Sequence, residues 1–214
     1  LWYTGNMKNN NKDKTGLFVA YTDASRRLRN YSSGAIILMP DSEAYLESVH
    51  IMSLGKTKKG IVHSEFRTAM EAMHIAPPNS LRALFLDCAS AVSKLQDYQT
   101  NIYAAWGDDK LTKDEIQRLK EGFRLQPDVM IDYRARETDN IKIADKFSRM
   151  AYRMPEGVRA LKIPQVPNLE RQLEHLYPRC DVVQSLQGKQ RYNKMGEYIR
   201  NWTQKTFMTP DPVT

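Results

Sequence analysis

Apolar positions fall first into short continuous runs and later into helical spacing. Leu17-Phe18-Val19-Ala20, Ala35-Ile36-Ile37-Leu38-Met39 and the stretch Tyr45 to Leu54 are separated by turn-forming segments, Ser25 to Ser33 and Pro40-Asp41-Ser42. Runs of this length between such punctuation predict three strands, over 16–21, 35–39 and 45–54, and the short connections predict antiparallel neighbours. In "HSEFRTAMEAMHIA", residues 63–76, Phe66, Ala69, Met70 and Met73 recur at i, i+3, i+4, i+7, which predicts an amphipathic helix that Pro77-Pro78 stops. Leu81 to Leu86 is a fourth strand that feeds a helix from about Ala89, so it is expected to run parallel to the first.

Residues 111–124 predict a charged helix with Thr112 as N-cap and Glu115 at capping-box spacing. Val129 to Tyr133 is a fifth strand, and Ile141, Ala144, Phe147, Ser148 and Ala151 then share one helical face. The order is strand, strand, strand, helix, strand, helix, helix, strand, helix. Pro155, Pro164, Pro167 and Pro178 interrupt the pattern, and a polar helical stretch is expected from about Gln184 to Phe207. The predicted organisation is a flexible segment 1–15, an α/β domain 16–154 and a mostly helical extension 155–214.

Four acids sit at particular places in this order. Asp23 ends the first strand in "VAYTDAS", Glu65 is near the beginning of the first helix, Asp87 ends the fourth strand, and Asp145 is early on the last core helix. Taken singly, each also reads as a solvated turn or helix-end residue. If strands one and four are adjacent and parallel, however, Asp23 and Asp87 lie side by side at the carboxyl ends of strands, where open sheets gather their ligands. Crowded carboxylates repel unless protonated or neutralised by cations. Hard oxygen donors suit Mg²⁺ or Mn²⁺, and two such ions about 3.5–4 Å apart can activate water and stabilise the leaving oxygen of a phosphodiester. Asp139 is a competing candidate for the fourth ligand, and Asp132 reads as a strand-face residue. His50, His63, His74 and His175 form no ligand pattern.

"YTDAS", "SEFRTAMEA", "LFLDCASAV" and "IADKFSRMA" resemble, in order, the four signature segments of the ribonuclease H family. The resemblance covers roughly 16–154. It implies a five-stranded mixed sheet flanked by helices, here followed by the extension, and a metal-dependent endonuclease that cuts the RNA strand of RNA–DNA hybrids by a two-metal mechanism. Carried over, Asp23, Glu65, Asp87 and Asp145 are the expected catalytic and metal-binding residues, with two Mg²⁺ or Mn²⁺ ions per site. Ser25, Lys56, Lys58, Lys59, Arg134 and Arg136 are the expected nucleic-acid contacts. The chain departs from the family pattern in three places. The loop Arg134 to Asp139 lacks the histidine many members carry, Cys88 replaces a usual Ser, and Ile61 and Val62 stand where Asn often precedes the helix Glu. The alternatives are a DNA nuclease or strand-transfer enzyme on the same fold, or a catalytically weak nucleic-acid-binding module.

Composition changes this picture little. With 41% hydrophobic and 27% charged residues the 214-residue chain reads as an ordinary globular protein. A formal net charge of +7 favours a polyanionic partner. Cys88 and Cys180 make no disulfide framework, which points to a reducing, intracellular and cytoplasmic setting. No apolar run approaches a membrane span, so no membrane partner is expected. Leu1 in the first position suggests a processed, excised or tagged chain. In the extension, Arg191, Lys194, Arg200 and Lys205 interleave with Tyr192, Tyr198 and Trp202, but Tyr192, Met195, Ile199 and Trp202 also share a helical face. Docking of that helix on the core, or self-association or assembly through it, is therefore expected ahead of base stacking.

Overall fold

The computed structural model describes residues 17–26, 31–57 and 59–176. Three long strands come first: β1 (Phe18–Arg26), β2 (Tyr31–Pro40) and β3 (Ser48–Lys56). They are followed by α1 (Ile61–Ile75), β4 (Leu81–Leu86), α2 (Ala89–Thr100), α3 (Lys113–Leu125), β5 (Met130–Tyr133) and α4 (Asp139–Ser148). Thr112 and Glu115 form the predicted capping box, each side chain bonded to the other's backbone N–H.

The first five strands assemble in the order β5-β4-β1-β2-β3, with β1–β2 and β2–β3 antiparallel and β1–β4 and β4–β5 parallel. Alternation along the strands divides the core into two layers. Ala20, Ile36, Leu38, Leu84 and Leu86 face α1, α2 and α3, whereas Val19, Tyr21, Ile37, Met39 and Phe85 face α4. The antiparallel order of strands one to three, the parallel fourth strand and the helices on both faces are as the sequence pattern predicts. The predicted strands 16–21 and 35–39 are short at one or both ends. Polar residues such as Thr22, Asp23, Ser32 and Ser33 continue β1 and β2 as buried members of the ladder.

The sheet has six strands where five were expected. The sixth, β6 (Gly157–Ala160), comes from the segment assigned to the extension and pairs antiparallel with β3, from His50↔Ala160 to Ser53↔Gly157. Four mostly exposed residues after Pro155 carry neither an apolar run nor alternation, so nothing in the pattern marks them as a strand. After β6, α5 (Leu169–Leu176) is pinned by Gln172. Its buried side-chain amide accepts from Leu46 N at 2.7 Å and donates to Leu46 O at 3.1 Å, imitating a strand partner. The described part of the extension thus packs as part of the sheet layer, with Leu161 and Leu176 in the α4-side core. The predicted helix 184–207 and Cys180 lie outside the described residues. Among the described residues no helix is long and apolar enough to cross a membrane.

Candidate active site

The parallel β1–β4 ladder ends at the pair Thr22↔Leu86, and the next residue on each strand is an aspartate. Asp23 remains in register with Ala35 of β2, so its backbone is fixed on one side while its carboxylate sits where β4 turns away. Glu65 arrives from α1. That helix lies close against the sheet because Gly34 has no side chain: a Cβ there would stand 2.2 Å from Thr68 Oγ1, one turn along α1 from Glu65. Asp23, Glu65 and Asp87 each offer a carboxylate oxygen within 4.8 Å of the others.

The electrostatics of this group are unusual for buried acids. Asp23 is 0% and Glu65 2% exposed, yet Asp23 Oδ1 and Glu65 Oε2 have no hydrogen-bond partner. Asp23 Oδ2 accepts the Ser148 hydroxyl at 2.7 Å, and Asp87 Oδ2 accepts Arg136 Nε at 2.8 Å. Burial pushes the Asp23 carboxyl from 3.8 up to about 7; Asp87 and Asp145 push the same way, against the Ser148 hydroxyl and Arg136. Burial and then the Asp23 charge raise Glu65 well above the usual carboxylate range, opposed by a backbone bond from Ala24. Two orphaned, buried carboxylate oxygens beside a third acid are a donor set of hard oxygens short of positive charge. A divalent cation fits it.

Three antiparallel strands, two further strands parallel to the first, and helices on both faces now stand together with acids just past the end of the β1–β4 ladder. The topology is the one that the ribonuclease H resemblance implies, with a sixth strand added. No protein-family model and no curated protein matches the chain. Solved structures do. The N-terminal RNase H domain of a Mycobacterium tuberculosis protein, fused to maltose-binding protein, has a TM-score of 0.49 at 11% identity over 64% of this chain and 94% of that one. The foamy viral protease–reverse transcriptase in complex with double-stranded DNA gives 0.48 at 14%, over 66% and 96%. LC9-RNase H1, described as a type 1 RNase H with the type 2 active-site motif, gives 0.47 at 14%, over 66% and 74%.

The expected site residues separate into those that the fold brings together and those that it does not. Asp23, Glu65 and Asp87 come together. Asp145 does not join their oxygen cluster: it is the seventh residue of ten in α4 rather than early on it, and Arg149, one turn on, donates to it at 2.7 Å. The helix starts at Asp139, earlier than its apolar stripe suggests, because Thr138 and Asp139 supply a polar first turn. Asp139 itself is exposed, with Lys142 at 3.7 Å, and does not enter the acidic group. Glu65 is likewise in the second turn of α1, which has no acid in its first.

The expected nucleic-acid contacts divide as well. Ser25 and Lys56 lie near the ends of β1 and β3, with Lys56 exposed. Lys58 lies outside the described residues. Lys59 is committed to Glu115 at 3.1 Å, Arg134 stacks 4.2 Å over the Phe85 ring, and Arg136 is bonded to Asp87. Lys59, Lys94 and Lys110 nevertheless line one cavity of about 280 Å³ at the start of α1.

Three features escaped the sequence reading. Ser148 was assigned only to an apolar face, and its partner Asp23 is 125 residues away. Arg149 could have been found, since it stands four residues after Asp145 on one helix. The third is Glu115, which gathers Lys59 at 3.1 Å, His63 at 3.0 Å and Arg67 at 3.7 Å. Burial tends to raise its carboxyl, but His63, the Thr112 N–H and Lys59 together hold it well below the usual range. His63, the third residue of α1, is thus buried against α3.

Proposed function

We propose that this chain is a divalent-metal-dependent endonuclease that hydrolyses the RNA strand of RNA–DNA hybrids. The observation that carries the reading is the under-neutralised acidic group: three carboxylates within 4.8 Å, with two buried oxygens lacking any partner. Asp23, Glu65 and Asp87 would hold Mg²⁺ or Mn²⁺, and Asp145 would complete a second site from α4. When bound, such ions supply Lewis acidity and a water made nucleophilic near neutral pH.

The chain's own residues do the rest. Asp23 on β1 and Glu65 on α1, the helix that Gly34 of β2 lets lie close to the sheet, keep their oxygens buried. Asp87, whose side chain is 4% exposed beside Arg136, completes the donor set. Arg136 supplies positive charge across the acids before the polyanion arrives and is placed to take a phosphate oxygen afterwards. Lys56 and Ser25 suit backbone phosphates of a bound duplex. The formal +7 charge acts in the same direction.

The test is cleavage of end-labelled RNA–DNA hybrid with Mg²⁺ or Mn²⁺, alongside single-stranded RNA, duplex RNA and duplex DNA. Cutting of RNA in the hybrid alone, lost in Asp87→Asn with hybrid binding retained, is the expected result. Cutting of DNA would move the enzyme to the DNA nuclease and strand-transfer side. Binding with no cutting would make the fold a recognition module.

A further inference from the structure

Ser148 is fully buried at the last position of α4, between the acidic group and the sheet. Its carbonyl oxygen accepts the Ser33 hydroxyl of β2 at 2.6 Å. Its own Oγ lies 2.7 Å from Asp23 Oδ2 and 2.9 Å from the Asp145 carbonyl oxygen. One hydroxyl carries one proton, so it serves one of these acceptors at a time, and an ionised carboxylate is the stronger of the two. The residue is therefore tied to β2 through its backbone and to β1 through its side chain.

A buried carboxylate can rotate about its last side-chain bond and exchange its two oxygens. The Ser148 bond removes that freedom by occupying Oδ2, which leaves Oδ1 as the one oxygen of Asp23 with no partner. We infer that Ser148 is a positioning residue for the acidic centre: its hydroxyl fixes the Asp23 carboxylate, so that a divalent cation meets a ligand already oriented. The inference rests on the metal-dependent reading above. Partners of this kind, one bond removed from the metal, set ligand orientation and carry much of a site's affinity. The same residue also couples the sites. Because Asp145 lies three positions earlier on α4, the bond that orients Asp23 also holds the helix bearing Asp145 against β1.

The experiment is calorimetric titration of Mn²⁺ alone into the metal-free chain, for wild type, Ser148→Ala and Ser148→Thr, with melting temperatures measured on the same samples. Ser148→Ala is expected to weaken Mn²⁺ binding by about 10- to 100-fold, the range for lost outer partners of metal ligands. Ser148→Thr, which retains the hydroxyl, is expected to stay much closer to wild type. In cleavage, Ser148→Ala should need correspondingly more metal for half-maximal rate and recover most of kcat when metal is saturating. If Ser148→Ala does not fold, Ser148→Cys, close in size with a weak donor, takes its place with the same expected weakening.

A purely structural role gives a different outcome: a lower melting temperature with an unchanged Mn²⁺ isotherm, and that result overturns the inference alone. Wild-type protein that binds no Mn²⁺ overturns the metal reading and the inference with it.

Discussion

Helix α1 carries two buried polar residues of opposite fortune, two positions apart. His63 belongs to the Glu115 group, in which one carboxylate gathers Lys59, His63 and Arg67 and closes the capping box with Thr112. Glu65 belongs to the acidic centre, in which three carboxylates share little more than Arg136 and a serine hydroxyl. The first site surrounds its carboxylate with basic side chains and holds its pKa down. The second is short of positive charge and pushes two pKa values up. Folding explains the first, because such a network ties α1 to α3. Folding does not explain the second, since buried, unpartnered carboxylates cost stability, and groups perturbed in this way mark functional sites.

The sharpest way to break the comparison is to neutralise one acid at each site. Asp23→Asn should lower metal-dependent cleavage by more than about 100-fold, beyond the range for outer partners of a metal site. The same change should make the metal-free protein more stable at pH 8. The folded protein retains a proton on Asp23 that the unfolded chain has lost between its ordinary 3.8 and about 7. The stability of the metal-free protein therefore falls as pH rises through that window, by on the order of 4 kcal/mol. Glu65 adds to the fall. Denaturant melts across pH 4 to 8 read it directly, and Asp23→Asn should flatten much of the slope.

Glu115 supplies the opposite sign. Its carboxyl is held below an ordinary value of 4.5, so its contribution is present above that range and lost as pH falls. Glu115→Gln should cost about 1–2 kcal/mol at neutral pH, because the group is only partly shielded from solvent, and should leave hybrid cleavage close to wild type. Loss of cleavage comparable to Asp23→Asn would erase the distinction between the two sites.

Smaller effects sharpen the contrast. Arg136→Gln removes the cation that faces the acids, and divalent binding should tighten by roughly five-fold, about 1 kcal/mol for charges several ångströms apart near the surface. Calorimetry with Mn²⁺ checks it. Thr112→Ala breaks the cap of α3 and should cost about 1 kcal/mol in a thermal melt, with no change in metal affinity.

Much of this is legible in the sequence. Continuous apolar runs located β1, β2, β4 and β5. The helical stripe of α1 and the Thr112–Glu115 signature were readable because each depends on neighbours a few residues apart. Asp23 and Asp87 were placed correctly by one inference, that a strand feeding a helix runs parallel to the first strand. The rest depends on distant partners. β6 exists because β3 offers it an edge, not because Gly157-Val158-Arg159-Ala160 has a strand pattern. Ser148 matters because β1 passes beneath it. Lys59 looked like a free phosphate contact because Glu115, 56 residues on, is invisible from its own segment. Periodicity records which face of an element is buried, but not what is buried against it.

The central claim is that the acidic centre is built for a divalent cation. The most direct measurement is the melting temperature of wild type and Asp87→Asn at pH 8, with and without Mn²⁺. At a hundred times the dissociation constant a bound ion adds about 2.7 kcal/mol, or roughly 5–10 °C for a chain of this size. The account predicts that shift in wild type and its loss in Asp87→Asn. No shift in wild type, or an equal shift in both proteins, would contradict it.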